Sequence, residues 1–316
     1  MSRELNVEYK TMKQYLKIIG VALLLLAVYS VFQLLFSGLA VGIYLFRSVM
    51  SGAISIDMLE NVEALMENPV VKESSNEALA LGLFLSAAAM LLFIHITKLF
   101  RLRWSLLRSI AFRPLLYSTL LVFTSMIALN IFVQWLPLEN ILENEFDGLT
   151  HTFLGAFTIS LLAPVLEEVM FRGAMQGYMT RKLGNPWQAI VIAALVFGVF
   201  HMNPVQIVYA SMFGFVLGWI YYRTGSLMSV IVGHVLNNTI ATLTTQYFGN
   251  VEESELMAKV MPQEAVLVSQ IVMFVLFGGL SLMLASKLHH SMPAPPVPWR
   301  ESDEHAAESE GVCSCN

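Results

Sequence analysis

The chain has 316 residues, of which 56% are hydrophobic and only 13% are charged. Soluble domains carry about twice that charged fraction, so the composition excludes an ordinary soluble protein and indicates a chain that folds in a bilayer. The formal net charge of −5 offers no basic surface for a nucleic acid. Both cysteines, Cys313 and Cys315, lie in the last four residues, so no disulfide framework can hold the body of the protein together.

Eight apolar stretches, each about as long as a hydrocarbon core of roughly 30 Å requires, follow one another along the chain. The first is too long for a secretory signal peptide and is interpreted as a retained span. The pattern predicts an all-α fold, a polytopic transmembrane helix bundle of about eight spans. The stretches run over 18–46, 78–97, 114–137, 151–180, 186–202, 204–222, 225–247 and 265–286.

Basic and acidic connections alternate between these spans. Because Lys and Arg near span ends are retained on the cytoplasmic side, the pattern predicts an integral membrane protein with both termini in the cytoplasm. The expected location is a bacterial plasma membrane. The basic set is Arg3, Lys10, Lys13, Lys17, Lys98, Arg101, Arg103, Arg108, Arg113, Arg181, Lys182, Arg223 and Lys287, and the acidic set is Asp57, Glu60, Glu63, Glu67, Glu73, Glu77, Glu139, Glu143, Glu145, Asp147, Glu252, Glu253 and Glu255.

The composition divides the chain into three parts. Residues 1–77 hold the first span and an acidic outer loop, and residues 78–286 form the transmembrane catalytic bundle, with the motif core at 160–245. Residues 287–316 are rich in Pro, Glu and Ser and are interpreted as a disordered cytoplasmic tail. In the sixth span, Gly214 and Gly218 form a small-xxx-small pair that predicts close helix packing.

Two adjacent carboxylates, Glu167 and Glu168, fall deep within the fourth span. A carboxylate at that depth costs on the order of 3 kcal/mol or more, so it is expected to face the bundle interior and to find a partner. At about 100° per residue the two side chains cannot share one helix face, whereas Glu168 and Arg172, four residues apart, can pair along one side. Glu167 is then left to contact another helix.

Two other spans offer partners for Glu167. The fifth contains Phe197 and His201 one turn apart, and the seventh contains His234 and Asn238 one turn apart. At about 1.5 Å per residue, Glu167, His201 and His234 come out at a similar distance below the cytoplasmic surface. The sequence therefore predicts that these groups converge on one polar cavity, because a purely structural ion-pair network would not need an extra carboxylate, two histidines and an amide.

These residues form an ordered series of motifs on separate helices: Glu-Glu-x-x-x-Arg, Phe-x-x-x-His and His-x-x-x-Asn. The series resembles the CPBP family of intramembrane endopeptidases, which includes the type II CAAX prenyl endopeptidases and the Abi-type bacteriocin-processing or self-immunity proteins. The resemblance implies a helical bundle in which a glutamate and a histidine activate water for peptide hydrolysis within the membrane. The site residues that it implies are Glu167, Glu168, Arg172, His201, His234 and Asn238.

Two versions of the chemistry stay open. In the glutamate-type version Glu167 is the general base, His201 holds the water, and His234 and Asn238 donate to the oxyanion, as the family pattern suggests; no cofactor is required. In the metal-dependent version Glu167, His201 and His234 bind a Zn²⁺ that carries the water. The chain has no His-Glu-x-x-His pair, and the metal-free version is preferred.

The expected partners are a peptide or protein substrate in the membrane and the lipid bilayer, with no nucleic acid. Two alternatives from other classes remain. One is a non-catalytic bacteriocin-immunity or scaffold protein that keeps the fold. The other is a proton-coupled transporter in which mid-membrane Glu and His residues relay protons, although the chain lacks the paired broken spans in two related halves that such transporters show.

Overall fold

The computed structural model describes residues 2–61, 65, 68–97, 110–141, 147–249 and 257–292. Every regular element within these residues is helical, which confirms the predicted all-α class. A 3₁₀ turn at Ile56–Glu60 lies between the first two long helices. The helices are α1 (Ser2–Met50), α2 (Pro69–Thr97), α3 (Phe112–Gln134), α4 (Asp147–Thr150), α5 (Phe153–Leu183), α6 (Pro186–Phe200), α7 (Pro204–Thr224), α8 (Leu227–Phe248) and α9 (Gln263–Ser291).

Each of the eight predicted apolar stretches corresponds to one helix, and α6 is the shortest of these eight. Among the described residues, seven helices are long and apolar enough to cross a membrane. α6 has 15 residues, or about 22 Å at 1.5 Å per residue, which is short of the roughly 30 Å core. Its neighbours α5 and α7 are long enough to cross, so α6 differs from them in being too short to cross by its length alone.

Several helices extend beyond the predicted apolar stretches. α1 begins at Ser2 and α2 begins at Pro69, inside the predicted outer loop. α9 continues to Ser291, so the segment 287–291 is helical rather than part of a disordered tail. The reason is that Lys, Glu and Gln are good helix formers and continue a helix past its apolar part. The rest of the tail, 293–316, and the charged segments 98–109, 142–146 and 250–256 lie outside the described residues.

Helices α5 to α8 follow one another through very short connections. Gly184 (φ 65°) and Gly225 (φ 62°) end α5 and α7 in the left-handed conformation that glycine adopts without steric cost. Asn185 caps α6 by accepting hydrogen bonds from the backbone N–H of Trp187 and Gln188 at 3.0 and 3.3 Å. These tight turns make α5, α6, α7 and α8 consecutive antiparallel neighbours.

The glycine pair of α7 packs closely, as predicted. A Cβ atom on Gly214 would lie 3.0 Å from the Phe197 ring and 3.3 Å from the Ala194 Cα atom of α6. A Cβ atom on Gly218 would lie 2.9 Å from the side-chain oxygen of Gln176 on α5. The missing side chains therefore let α7 approach α5 and α6 closely enough for its backbone carbonyls to take part in contacts between helices.

The outer helices of the bundle expose long apolar side chains. Leu34 and Phe46 of α1 and Leu282 of α9 are 77%, 66% and 76% exposed. α1 packs on α2, and α9 is joined to α3 by a hydrogen bond of 2.8 Å from Ser281 to Thr124. Together with the long apolar helices, these exposed faces identify an integral membrane protein whose outer surface is solvated by lipid.

Candidate active site

The helix that carries both glutamates, α5, is not a regular α-helix. It contains two π-helical segments, Thr158–Leu162 and Glu168–Gln176, separated by one α-helical turn, Ala163–Glu167. The change from α to π falls between Glu167 and Glu168. Such π segments are rare and occur frequently at functional sites. Regular α-helical geometry, at about 100° per residue, was predicted for this segment, and that prediction is wrong.

The first π segment leaves one backbone carbonyl for another helix. The N–H of Ala163 donates to the carbonyl of Thr158, five residues earlier. The next donor in this pattern would be Pro164, which has no N–H, so it cannot serve the carbonyl of Ile159. The side-chain nitrogen of Asn238 on α8 donates to that carbonyl at 3.0 Å. Pro164 thus explains both the irregular helix and the position of Asn238.

Glu168 lies at the centre of a closed polar cluster. Its Oε1 atom accepts hydrogen bonds from Nη1 of Arg172 at 2.8 Å and from Nδ1 of His234 at 2.7 Å. The side chains of Glu168 and Arg172 are 0% and 1% exposed. The predicted pair of Glu168 with Arg172 is therefore present, and His234 is a third member that the motifs did not predict.

Arg172 also joins α5 to α7. Its Nη2 atom donates to the carbonyl of Gly214 at 3.2 Å, and its guanidinium lies 4.4 Å from the centre of the Phe197 ring. Four residues further on, Gln176 donates to the carbonyl of Gly218 at 2.8 Å. Two successive contacts of the same kind thus hold the long π segment against the glycine pair, and both terminal nitrogens of Arg172 have hydrogen-bond partners.

Glu167 is the less constrained of the two glutamates. Its side chain is 16% exposed, and its Oε2 atom lies 3.6 Å from Nε2 of His234, which is longer than a hydrogen bond. Within the described part of the chain its carboxylate accepts no hydrogen bond. The two ring nitrogens of His234 therefore face two different carboxylates, Glu168 through a short bond and Glu167 across a wider gap.

His201 lies in the turn that directly follows the short helix α6. Its Nδ1 atom is 2.9 Å from the carbonyl of Phe197. Since a carbonyl only accepts, Nδ1 carries the proton, and Nε2 of a neutral ring is then a hydrogen-bond acceptor. The next residue, Met202, has a φ of 52°, a backbone conformation that costs energy for a residue with a side chain. The turn is thus held in a strained geometry directly beside His201.

The Phe197 ring brings the two histidines together. Its centre lies 4.9 Å from that of His201 and 5.8 Å from that of His234, and both contacts are edge-on. Glu167, Glu168, Arg172 and His234 are thus in direct contact or nearly so. His201 is connected to them across one aromatic ring, and Asn238 lies one helical turn beyond His234.

The predicted zinc ligands do not form a complete set. Two ligands of one tetrahedral zinc ion lie about 3.3 Å apart, so the 3.6 Å between Glu167 and His234 suits two of the three. However, no group of three His, Cys, Asp or Glu side chains that could hold a metal ion occurs among the residues that the structure describes. His201 does not complete the set within the described residues.

Two residues outside the motifs reach this region. Tyr29 of α1 packs against Phe200, with ring centres 5.7 Å apart. Gln176 fixes the far end of the π segment, as described above. Neither was predicted, because Tyr29 lies more than a hundred residues from the motifs and nothing in its local sequence marks it.

Comparison with known proteins supports the family resemblance. Residues 149–240 match the family model described as type II CAAX prenyl endopeptidase Rce1-like. The matched segment contains all three motifs, from Glu167 to Asn238, and it begins just before α5 and ends within α8. This match confirms the resemblance to the CPBP family of intramembrane proteases that the motifs predicted.

A curated relative also matches part of the chain. A Bacillus subtilis (strain 168) protein named "Putative membrane peptidase YdiL" is 29% identical over 84 residues, or 27% of this chain. The chain spans about a third of the length of that relative, since the match covers 34% of it. The comparison with solved structures found no match to the chain.

Proposed function

We propose that this chain is an intramembrane endopeptidase that hydrolyses a peptide bond of a membrane-associated or lipidated peptide or protein. The observation that carries the proposal is the contrast between two neighbouring glutamates in one buried cluster. Glu168 is fully buried, with Oε1 bonded to Arg172 and His234 and Oε2 without a hydrogen-bond partner among the described residues, whereas the side chain of Glu167 is partly exposed and accepts no hydrogen bond among them. Glu167 is therefore the carboxylate that is available to take a proton.

Glu167 and His201 activate the attacking water. The carboxylate of Glu167 accepts one proton of the water as general base. Nε2 of His201, an acceptor because Nδ1 donates to the Phe197 carbonyl, accepts a hydrogen bond from the second O–H and orients the oxygen. The water oxygen then forms a bond to the carbonyl carbon of the substrate while its proton moves to Glu167, and the carbonyl oxygen becomes an oxyanion.

His234 and Asn238 stabilise that oxyanion. Because Nδ1 of His234 donates to Glu168, its Nε2 can also donate only in the imidazolium form. A cationic His234 beside Arg172 would balance the two carboxylates of the cluster, so the donor form also neutralises the buried charge. Asn238 uses one N–H on Ile159 and has a second one to offer. Two such donors lower the energy of a tetrahedral intermediate.

The second half of the reaction returns the proton. Glu167, now protonated, donates to the nitrogen of the scissile amide as the C–N bond breaks. The products are a carboxylic acid, which contains the water oxygen and its second proton, and a free amine; that proton then passes to the amine, which leaves a carboxylate and an ammonium group. Glu167 returns to its ionised form, so one residue serves in turn as general base and general acid. The glutamate-type mechanism thus completes a catalytic cycle with side chains of this chain alone.

The similarity supports a class of substrate and a location. The matching family model names a CAAX prenyl endopeptidase and the relative is named as a membrane peptidase, which favours a peptide held at the membrane by a lipid group. The relative is bacterial, which supports a bacterial plasma membrane. The alternating charges of the connections support cytoplasmic termini.

A cleavage assay tests the proposal. The purified protein is placed in liposomes with internally quenched peptides that end in Cys, two aliphatic residues and any fourth residue, with and without a farnesyl group on the Cys. We expect the wild type to cleave at least one of them, and Glu167→Gln to cleave it at least about 10²-fold more slowly with an unchanged melting temperature. Glu139→Gln, an exposed residue after α3, is the matched control and should cleave at the wild-type rate.

Two results would overturn the proposal. Wild-type cleavage by Glu167→Gln would exclude Glu167 as the base. A folded wild type that leaves every peptide of the panel intact would favour the alternative of a non-catalytic immunity or scaffold protein that retains the fold.

A further inference from the structure

Asn238 stands at one end of a chain of hydrogen bonds that begins on another helix. The hydroxyl of Tyr209 on α7 donates to Oδ1 of Asn237 at 2.7 Å. Nδ2 of Asn237 donates to Oδ1 of Asn238 at 3.0 Å, and Nδ2 of Asn238 donates to the carbonyl of Ile159 at 3.0 Å. Three helices, α7, α8 and α5, are thus linked through one polar path.

The direction of every bond in this path is fixed by its last acceptor. The carbonyl of Ile159 can only accept, so Asn238 must turn its nitrogen toward it. Oδ1 of Asn238 then needs a donor, which only the nitrogen of Asn237 supplies in this path. Oδ1 of Asn237 in turn needs the Tyr209 hydroxyl as its donor. The hydrogen bonds of the path therefore cannot reverse their direction. The Ile159 carbonyl is available to Asn238 because Pro164, the next donor in the π-helical pattern, has no N–H.

We propose that Tyr209 and Asn237 are positioning residues, which hold the Asn238 amide in the orientation that presents its second N–H to the oxyanion. The inference rests on the proposed function, in which Asn238 is an oxyanion donor. Among the described residues this second N–H has no partner. An amide that was free to flip would present its oxygen there for part of the time and would repel the negative charge that develops in the transition state.

Tyr209 also supports the other proposed donor. Its ring is stacked on Phe213, with centres 5.7 Å apart and planes at 16°, and Phe213 contacts the His234 ring edge-on at 5.5 Å. The hydroxyl of Tyr209 thus belongs to the hydrogen-bonded path that ends at Asn238, while its ring packs on the aromatic side chain that contacts His234. Replacing Tyr209 by Phe removes the first contact and keeps the second, which makes it a clean test of the hydrogen-bonded path.

The experiment measures kcat and KM for the best peptide of the panel described above. We expect Tyr209→Phe to lower kcat about 10-fold, the lower end of the effect of losing a supporting hydrogen bond around a functional group. Asn237→Asp keeps the acceptor for Tyr209 but has no donor for Asn238, so we expect a fall in kcat of about 10²-fold, as for loss of an oxyanion donor. KM should stay within about threefold, since the oxyanion is absent from the ground state. The matched control is Tyr222→Phe at the other end of α7, which should keep the wild-type kcat.

A double-mutant cycle separates positioning from general support of the fold. In an Asn238→Ala background, Tyr209→Phe and Asn237→Asp should change kcat less than about twofold, because their effect passes through the amide that is already gone. An equal fall in both backgrounds, or a wild-type kcat for both single variants, would overturn the inference.

A second measurement, of ligand binding, does not depend on turnover. A phosphinic peptide carries a tetrahedral, negatively charged centre, and its Kd can be measured in a Glu167→Gln background without turnover. We expect Tyr209→Phe to weaken its binding about as much as it lowers kcat, and to leave the Kd of the uncleaved peptide unchanged. Equal weakening of both ligands would overturn the inference.

The same series tells this inference apart from the proposed function. Cleavage that survives Glu167→Gln would mean that the proposed function fails. Loss of cleavage in Glu167→Gln, with a normal rate in Asn238→Ala, would mean that Asn238 is no donor and that its positioning has no role. Low rates of cleavage in both Glu167→Gln and Asn238→Ala, with normal rates in Tyr209→Phe and Asn237→Asp, would overturn only the proposed positioning role of Tyr209 and Asn237.

Discussion

The candidate active site has two parts, which we call the closed half and the open half. The boundary between them lies between the consecutive residues Glu167 and Glu168. The closed half consists of Glu168, Arg172 and the Nδ1 side of His234, joined by bonds of 2.7 and 2.8 Å and sealed from solvent. The open half consists of Glu167, His201 and Asn238, each of which keeps an acceptor or donor unused within the cluster. The difference teaches that two neighbouring carboxylates of one helix can lie in opposite environments, and here the change from α to π geometry falls between them.

The largest effect is expected in the closed half. Glu168→Ala removes the shared acceptor of Arg172 and His234 and leaves a buried guanidinium without its counter-charge. Breaking a buried pair in this way typically costs about 3–5 kcal/mol, so we expect a clear fall in melting temperature and in the amount of folded protein. Thermal unfolding in detergent measures it.

A double variant sharpens this expectation. Replacing both Glu168 and Arg172 by Leu removes the unpaired charge, so part of the lost stability should return. The recovery should be incomplete, because Nδ1 of His234 still loses its acceptor and Arg172 no longer bonds the Gly214 carbonyl. A Glu168→Ala variant as stable as the wild type would show that the closed half does not stabilise the fold.

The open half should respond in activity rather than in stability. Glu167→Asp withdraws the carboxylate by one carbon–carbon bond, about 1.5 Å, and a misplacement of about 1 Å can reduce a catalytic rate about 10²-fold. We therefore expect kcat to fall about 10²-fold, or about 2.7 kcal/mol, with an unchanged melting temperature.

Glu168→Asp is the matched comparison, because the same shortening in the closed half pulls the carboxylate away from Arg172 and His234. It should lower both stability and activity. If instead Glu167→Asp unfolds the protein while Glu168→Asp does not, the assignment of base and structural partner is reversed.

The fold was predictable because a bilayer restricts what a chain can do. Each apolar stretch must satisfy its backbone internally, which leaves only helices for a chain of this composition, and all eight stretches form helices. The shortness of α6 was not predicted. The apolar run 186–202 continues two residues past Phe200, so hydropathy could not show that the helix ends where Asn203 and Pro204 start the next one.

The sequence predicted which residues lie near one another in the candidate site better than it predicted the contacts between them. Helical spacing predicted the pair of Glu168 and Arg172, which is present. The bond from His234 to Glu168 was not predictable from spacing, because it depends on how α5 and α8 are rotated against each other. The π segments were also missed, although Pro164, three residues before Glu167, was a visible signal that the backbone pattern changes there. The catalytic roles stay predictions.

A smaller effect is expected where the closed half meets α7. A Cβ atom on Gly214 would contact the Phe197 ring at 3.0 Å and Nη2 of Arg172 at 3.3 Å, and both groups are held by other contacts. Gly214→Ala should therefore destabilise the protein by about 1–3 kcal/mol through overpacking. Gly278→Ala in α9, where a Cβ atom would meet nothing within 4 Å, is the control and should be at least as stable as the wild type. Equal melting temperatures for the two variants would contradict the close packing.

The smallest effect is expected from removing metal ions. This treatment tests whether the side chains of the open half catalyse cleavage without a metal ion. His234 is bound to Glu168 through Nδ1, and the described residues contain no group of three side chains that could hold a metal ion. The glutamate-type mechanism therefore expects that dialysis against EDTA or 1,10-phenanthroline leaves kcat within about twofold of its original value, a difference of only about 0.4 kcal/mol. A loss of activity that added Zn²⁺ restores would contradict it, because Glu167 and His234 already lie 3.6 Å apart, and a shift of His201 toward them would complete three ligands. Glu167→Gln separates the two cases once more: under the metal-free mechanism it abolishes cleavage without changing the metal content of the purified protein, whereas a zinc ligand lost by substitution typically reduces metal affinity as well.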